Sequence, residues 1–175
     1  EEMSNFLASQ ILVGFAFACA VASMQCRQRR SLLFWLVLAS LLSASHFFLL
    51  GRVSAGTLYV ILWVRLLAAT RTTDRRVMMF FAVAVIIGAM ATYERPLDGL
   101  AMVAALTATY AAFQADARRM RIVYMLCAAQ WMIHNVIAGS PVAVAMEATI
   151  LLSNMLGFWR HYIRATPEPP PRPDR

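Results

Sequence analysis

The sequence predicts an all-α integral membrane protein of seven transmembrane helices, and three observations carry that prediction. The chain divides into long apolar stretches separated by very short polar connections. Hydrophobic residues fill 61% of its 175 positions and charged residues only 14%, against about 45–50% and about 25% in soluble domains. One pattern also occurs twice: Gln25, Arg29, Arg30, His46 and Gly51 recur as Gln114, Arg118, Arg119, His134 and Gly139. A single-residue gap aligns the copies, and a repeat of this kind dictates architecture.

The apolar stretches cover about 5–24, 31–50, 53–70, 77–93, 97–113, 122–138 and 141–159. Each approaches the ~20 residues that cross a bilayer core of about 30 Å, the fifth being at the short limit. Their continuous apolar character argues against strands, which would leave backbone groups unpaired in lipid. No basic segment and small-residue cleavage site bound the first stretch, which therefore reads as a retained helix. Gly51-Arg52 and Gly139-Ser140-Pro141 read as hairpin turns, with Pro141 suited to the first turn of the last helix. Residues Thr166 to Arg175 are rich in proline and charge and are expected to form a disordered tail.

The net charge of +7 comes from 16 arginines with no lysine. These arginines punctuate apolar spans instead of lining a surface, which argues against a nucleic-acid partner. One side of the predicted spans receives Arg27, Arg29, Arg30, Arg71, Arg75, Arg76, Arg118, Arg119, Arg121 and the C-terminal arginines. The other side has Arg52 and Arg95. The positive-inside rule then puts the N-terminus outside and the C-terminus in the cytoplasm of a multi-pass inner-membrane protein. The repeat splits the chain into a first triple-helix bundle (1–70), a linker helix (71–96), a second bundle (97–164) and the tail (165–175). One linker crossing leaves both bundles pointing the same way, a 3+1+3 parallel repeat about an axis along the membrane normal.

Ionisable groups inside spans are expensive and mark function by default. His134 and Glu147 lie at about the same depth below the outer helix ends, so adjacent helices can bring them together to trap or shuttle a proton. A structural hydrogen bond gluing two helices is the simpler alternative. Asn154 shares a helix face with Glu147, and Asn135 flanks His134. His46 has Tyr59, aligned with Glu147, in place of an acidic partner. Arg65 either snorkels to the interface or acts as a gate or anion-binding charge. Trp131 and Tyr59 are candidates for a stacking pocket, although core or lipid-facing placement is commoner for aromatics. Gln25 and Gln114 sit at matching inner helix ends, where an inner gate and simple helix-end satisfaction explain them equally well. The three cysteines Cys19, Cys26 and Cys127 lack metal-ligand spacing and imply no disulfide framework.

The residues also resemble known families. Ser23-Met24-Gln25, His46-Phe47-Phe48-Leu49-Leu50-Gly51, Trp131-Met132-Ile133-His134-Asn135, Gly139-Ser140-Pro141, Met146-Glu147-Ala148 and Ser153-Asn154 resemble the YgjV-type bacterial inner-membrane proteins. More distantly, Gln25, Gln114, Gly51, Gly139 and Asn154 are similar to motif positions of the SWEET and PQ-loop superfamily. Met24 and Phe113 stand where that superfamily has proline, and Leu66 where the first half would repeat Asn154. The resemblance implies alternating access to a small polar solute.

The leading expectation is a transporter or facilitator of such a solute, with proton coupling through His134 and Glu147 as an option. The alternative is a non-transporting receptor or assembly factor on the same bundle. No paired carboxylates, His-rich metal motif or nucleophile–base motif lies near an interface, so an enzyme finds no support and no cofactor is expected. Both bundles being in one chain, a homo-oligomer is not required to complete a pore.

Overall fold

The computed structural model describes residues 2–51, 53–91 and 93–164. Within them the chain forms helices α1 (Glu2–Ser23), α2 (Arg29–Leu49), α3 (Val53–Arg71), α4 (Arg75–Ala91), α5 (Pro96–Ala112), α6 (Ala117–Ile137) and α7 (Pro141–Phe158). One π-helical turn, Trp159–Ile163, prolongs α7 and was not expected. No strand occurs among the described residues. The helices follow the apolar stretches to within a few residues, and the predicted C-terminal tail lies outside the described residues. Of the seven, α1 over Met3–Ser23 and α2 are long and apolar enough to span a bilayer by that measure alone.

The helix boundaries have local causes. Gly51 (φ +67°) and Gly139 (φ +70°) end α2 and α6 in left-handed conformations that other residues adopt only with strain. Pro141 and Pro96 occupy the first turns of α7 and α5, where their missing N–H is harmless. Asp98 accepts hydrogen bonds from the backbone N–H groups of Glu94 and Arg95 at 2.9 and 2.7 Å, fixing the entry to α5. Asp116 caps α6 by accepting from the Arg118 and Arg119 amides, and Asp74 accepts from Arg76 N–H ahead of α4.

Packing follows chain order. α2 packs against both α1 and α3, α6 against both α5 and α7, and α4 against α5. Across the molecule α1 meets α7 and α3 meets α5. The buried contacts are rich in small residues, among them Ser9, Ala16, Ser23, Ala39, Ala44, Ala69, Ala104, Ala111, Ala112 and Ala128. Close backbone approach through small residues is how helices associate where lipid removes the hydrophobic driving force between them. The outer surface carries large apolar side chains, such as Phe6, Ile11 and Phe15 of α1 and Phe80, Ile87 and Met90 of α4. A solvated monomer rarely exposes apolar surface on this scale.

The apolar core is not central. Leu32, Leu33, Leu66, Ala69, Phe81, Ala112, Phe113 and Met120 cluster where α1, α3 and α5 end and α2, α4 and α6 begin. Phe81 and Phe113 stack there at 6.1 Å between centroids. This is the arginine-rich end of the molecule. The opposite end carries the two glycine turns.

Candidate functional site

Between the first three helices and the last three lies a cavity of about 790 Å³. Its wall is mostly apolar, with Val13 and Phe17 of α1, Leu36 and Phe47 of α2, Leu62 of α3 and Ile150 of α7. Two charged side chains line it, Arg65 of α3 and Glu147 of α7, with Tyr59, Tyr124, Trp131, Ser40 and Ser43 as further polar groups. Low dielectric makes each charge consequential, because an ionised group in such surroundings must find a partner or a counter-charge.

Arg65 is buried, 8% exposed. Its Nη1 donates to Thr109 Oγ1 at 2.6 Å and more weakly to the Ala105 carbonyl at 3.5 Å, both on α5. Thr109 Oγ1 in turn donates to Ala105 O at 2.8 Å. The Arg65 Nε is buried without a partner. Arg65 therefore does not snorkel; its guanidinium is held against the other half of the molecule. Glu147 is within electrostatic reach of Tyr59 and Cys127, and Arg65 of Tyr124 and Cys127. No ion pair joins Arg65 to Glu147 among the described residues.

The cavity ends toward the arginine-rich side in a layer of polar contacts that cross between the halves. Arg29 of α2 donates from Nε to Gln114 O at 2.6 Å and from Nη2 to Ala112 O at 2.9 Å and Ala69 O at 2.6 Å. Arg121 of α6, fully buried, donates from Nη1 to Met24 O at 2.5 Å and Asn154 Oδ1 at 3.1 Å, and from Nη2 to Cys26 O. These carbonyls belong to helix C-terminal turns and the residues just beyond, which lack intrahelical donors and carry the negative end of the helix dipole. A guanidinium with five donors satisfies several at once, so an arginine can be buried there without a carboxylate. Gln25 adds bonds from Nε2 to Ser153 O at 2.8 Å and Ser153 Oγ at 2.7 Å. Ser153 Oγ donates to Val21 O, and His161 Nε2 lies 2.7 Å from Gln25 O. Burial pushes the thiol of Cys26, in the same loop, up from its ordinary value, and Arg121 opposes this only in part.

The two arginines are not sequence equivalents. Arg29 aligns with Arg118, and Arg121 aligns with Leu32, one helical turn further in. Each nonetheless reaches the end of the first helix of the opposite half.

The predicted site residues divide accordingly. Glu147, Arg65, Tyr59 and Trp131 line the cavity together. His134 and Asn154 do not. His134 Nδ1 sits 3.2 Å from Asn135 Oδ1, and its ring packs on Trp131 at 5.2 Å. No bond joins His134 to Glu147 among the described residues, so the expected pair does not form in this structure: equal depth places both at one level but leaves the ring turned toward its own helix. Asn154 is on the expected face, yet its amide is consumed by Arg121, accepting at Oδ1 and donating from Nδ2 to Arg121 O at 2.9 Å. It lies two turns beyond Glu147, where Arg121 already fills the space. Asn135 borders a shallow depression at the Gly139 turn instead of the cavity. His46 is buried and ties α2 to α1, its Nδ1 donating to Ser9 O at 2.8 Å. The Gln25 side chain bridges to α7, whereas the Gln114 side chain donates from Nε2 to Tyr110 O of the preceding helix at 3.0 Å. Thr109, Tyr124 and Arg121 were not anticipated. Arg121 gave one usable signal, being a third arginine on α6, one turn past Arg118.

Comparison with known proteins agrees with the membrane character. No solved structure matches the chain. Inner membrane protein YgjV of Escherichia coli (strain K12) is 30% identical over 161 residues, which span 90% of this chain and 88% of the relative. The model of the Imp-YgjV family, described as bacterial inner membrane protein, matches residues 7–165. With that match across nearly the whole described length, the chain belongs to the Imp-YgjV family of bacterial inner membrane proteins.

Proposed function

We propose that this inner-membrane protein is a transporter or facilitator that moves a small polar solute by alternating access through the cavity between its first three and last three helices. The observation that carries the reading is that cavity, about 790 Å³ in volume, with Arg65 and Glu147 facing it from opposite halves. Solute sites of secondary transporters lie between repeats near the bilayer midplane, and charged residues there are retained at a cost because they bind or couple. In this reading α1–α3 and α5–α7 are two parallel triple-helix bundles, α4 is the linker, the N-terminus is outside and the C-terminus cytoplasmic. The arginine-rich end is then the inner gate. Arg29, Arg121 and Gln25 hold it closed through bonds that a rocking of one bundle on the other breaks. The likeness of Gln25, Gln114, Gly51, Gly139 and Asn154 to SWEET and PQ-loop positions points the same way. Glu147, in the cavity wall, is the group suited to carry a coupled proton, and His134 stands outside that role in this closed arrangement.

Reconstituted liposomes offered sugars, amino acids, nucleosides and vitamins provide the test. At least one class accumulates, and Glu147→Gln reduces its uptake at least tenfold while the protein stays folded. If nothing moves and Glu147→Gln leaves cell phenotypes untouched, transport is abandoned for a membrane receptor or assembly factor.

A further inference from the structure

Arg65 and Glu147 put a basic and an acidic side chain in one cavity, and no ion pair joins them among the described residues. Arg65 is more than nine-tenths buried, and Thr109 and Ala105, its hydrogen-bond partners among the described residues, are both uncharged. Its Nε has no hydrogen-bond partner among the described residues. Glu147 faces the same space from α7 and accepts no hydrogen bond among the described residues. A purely anionic solute would satisfy Arg65 and meet Glu147 as a like charge; a purely cationic one reverses the problem. A neutral solute leaves both charges uncompensated in an apolar enclosure, the costly arrangement. One molecule bearing both charges resolves the two ends together.

The spacing adds a second constraint. Arg65 lies twelve residues into α3 and Glu147 six residues into α7, so their backbones differ in depth by about 9 Å at 1.5 Å per residue. The wall between is apolar and aromatic, with Leu62, Ile150, Tyr59 and Trp131. We infer that the cavity binds an extended zwitterion, its carboxylate on the Arg65 guanidinium and its ammonium at Glu147, with an aliphatic or aromatic body between charges that are several bonds apart. The inference rests on the cavity being a solute site, and equilibrium binding tests it separately from transport.

The probes are δ-aminovalerate, its single-charge analogues valerate and pentylamine, and its isomer norvaline, whose charges are adjacent. Binding is measured by calorimetry on the purified full-length protein in nanodiscs. δ-Aminovalerate binds at least tenfold more tightly than each of the other three. Arg65→Gln removes its advantage over pentylamine, and Glu147→Gln removes its advantage over valerate. Where Arg65→Gln fails to fold, Glu147→Gln alone decides, since glutamine keeps the shape of glutamate and Glu147 makes no hydrogen bond among the described residues that the change would break. Equal binding of valerate, pentylamine or norvaline to the unmodified protein overturns the inference, as does a full preference for δ-aminovalerate over valerate in Glu147→Gln. Binding of δ-aminovalerate without its uptake into liposomes sinks the transporter reading and leaves the inference standing. Uptake of a neutral solute with no zwitterion binding does the reverse.

Discussion

Arg121, fully buried, organises the arginine-rich end of this protein. Arg121 holds Met24 and Cys26 through their carbonyls and Asn154 through its amide. Gly157 sits against the same group: a Cβ at that position would collide with the Met24 carbonyl and meet Arg121 Nη1 at 2.8 Å. Backbone cannot yield as a flexible side chain can, so Gly157→Ala is expected to destabilise by about 1–3 kcal/mol, seen as a lower melting midpoint of the detergent-solubilised protein. Arg121→Met strands the Asn154 amide and the two carbonyls, and each lost bond to a charged group is worth about 1.5–3 kcal/mol. Combining it with Asn154→Leu should cost less than the two single changes summed, because they share one network. Full additivity in that double-mutant cycle would show that the two side chains are energetically independent.

At the scale of elements, the two glycine turns share one backbone geometry. Gly51 and Gly139 have matching positive φ, and nothing lies within 4 Å of a Cβ placed on either. The demand on these positions is therefore conformational and not steric. Alanine at either is expected to lower stability by about 1–2 kcal/mol, whereas asparagine, which visits the left-handed region readily, should cost less. Thermal unfolding of the four single variants checks the order. Gly56 differs in kind: an added Cβ would meet the Phe48 ring at 2.7 Å, so its constraint is packing between α2 and α3.

For the whole molecule, the two ends differ in what holds them. The arginine-rich end combines the apolar cluster around Leu32, Leu33 and Phe113 with the Arg29, Arg121 and Gln25 bonds. Between the halves lies the cavity, lined mostly by apolar side chains. If the closed end is the cytoplasmic gate, Arg29→Met should shift the population toward an inward-open form. A cysteine at Ala108, in the cavity wall, would then react with an impermeant maleimide added to inverted vesicles, at a rate well above that in the Arg29-containing parent. Orientation has its own check. Cysteine replacing exposed Asp116 should label only in inverted vesicles, and cysteine replacing exposed Glu94 only in spheroplasts. The opposite pattern reverses the assignment of the gate.

Periodicity-free apolar runs, turn glycines and the arginine bias were enough to mark the helices, because lipid forces each span to satisfy its own backbone. The repeat likewise marked Gly51 and Gly139, whose conformations follow from local geometry. Glu147, Arg65, Tyr59 and Trp131 were legible as candidates because polar groups within apolar helices stand out. Their partners were not. His134 and Glu147 share a level, and Asn154 shares a face with Glu147, but depth and face leave open which way a ring turns or which neighbour takes an amide first. Arg121 read as a topology signal among many arginines, and only packing shows it reaching across to the end of α1. Sequence by itself determined the membrane class and the helices. Tertiary structure decided which charges face the cavity and which are spent on helix-end carbonyls, because those choices depend on contacts between residues about a hundred positions apart, such as Met24 with Arg121.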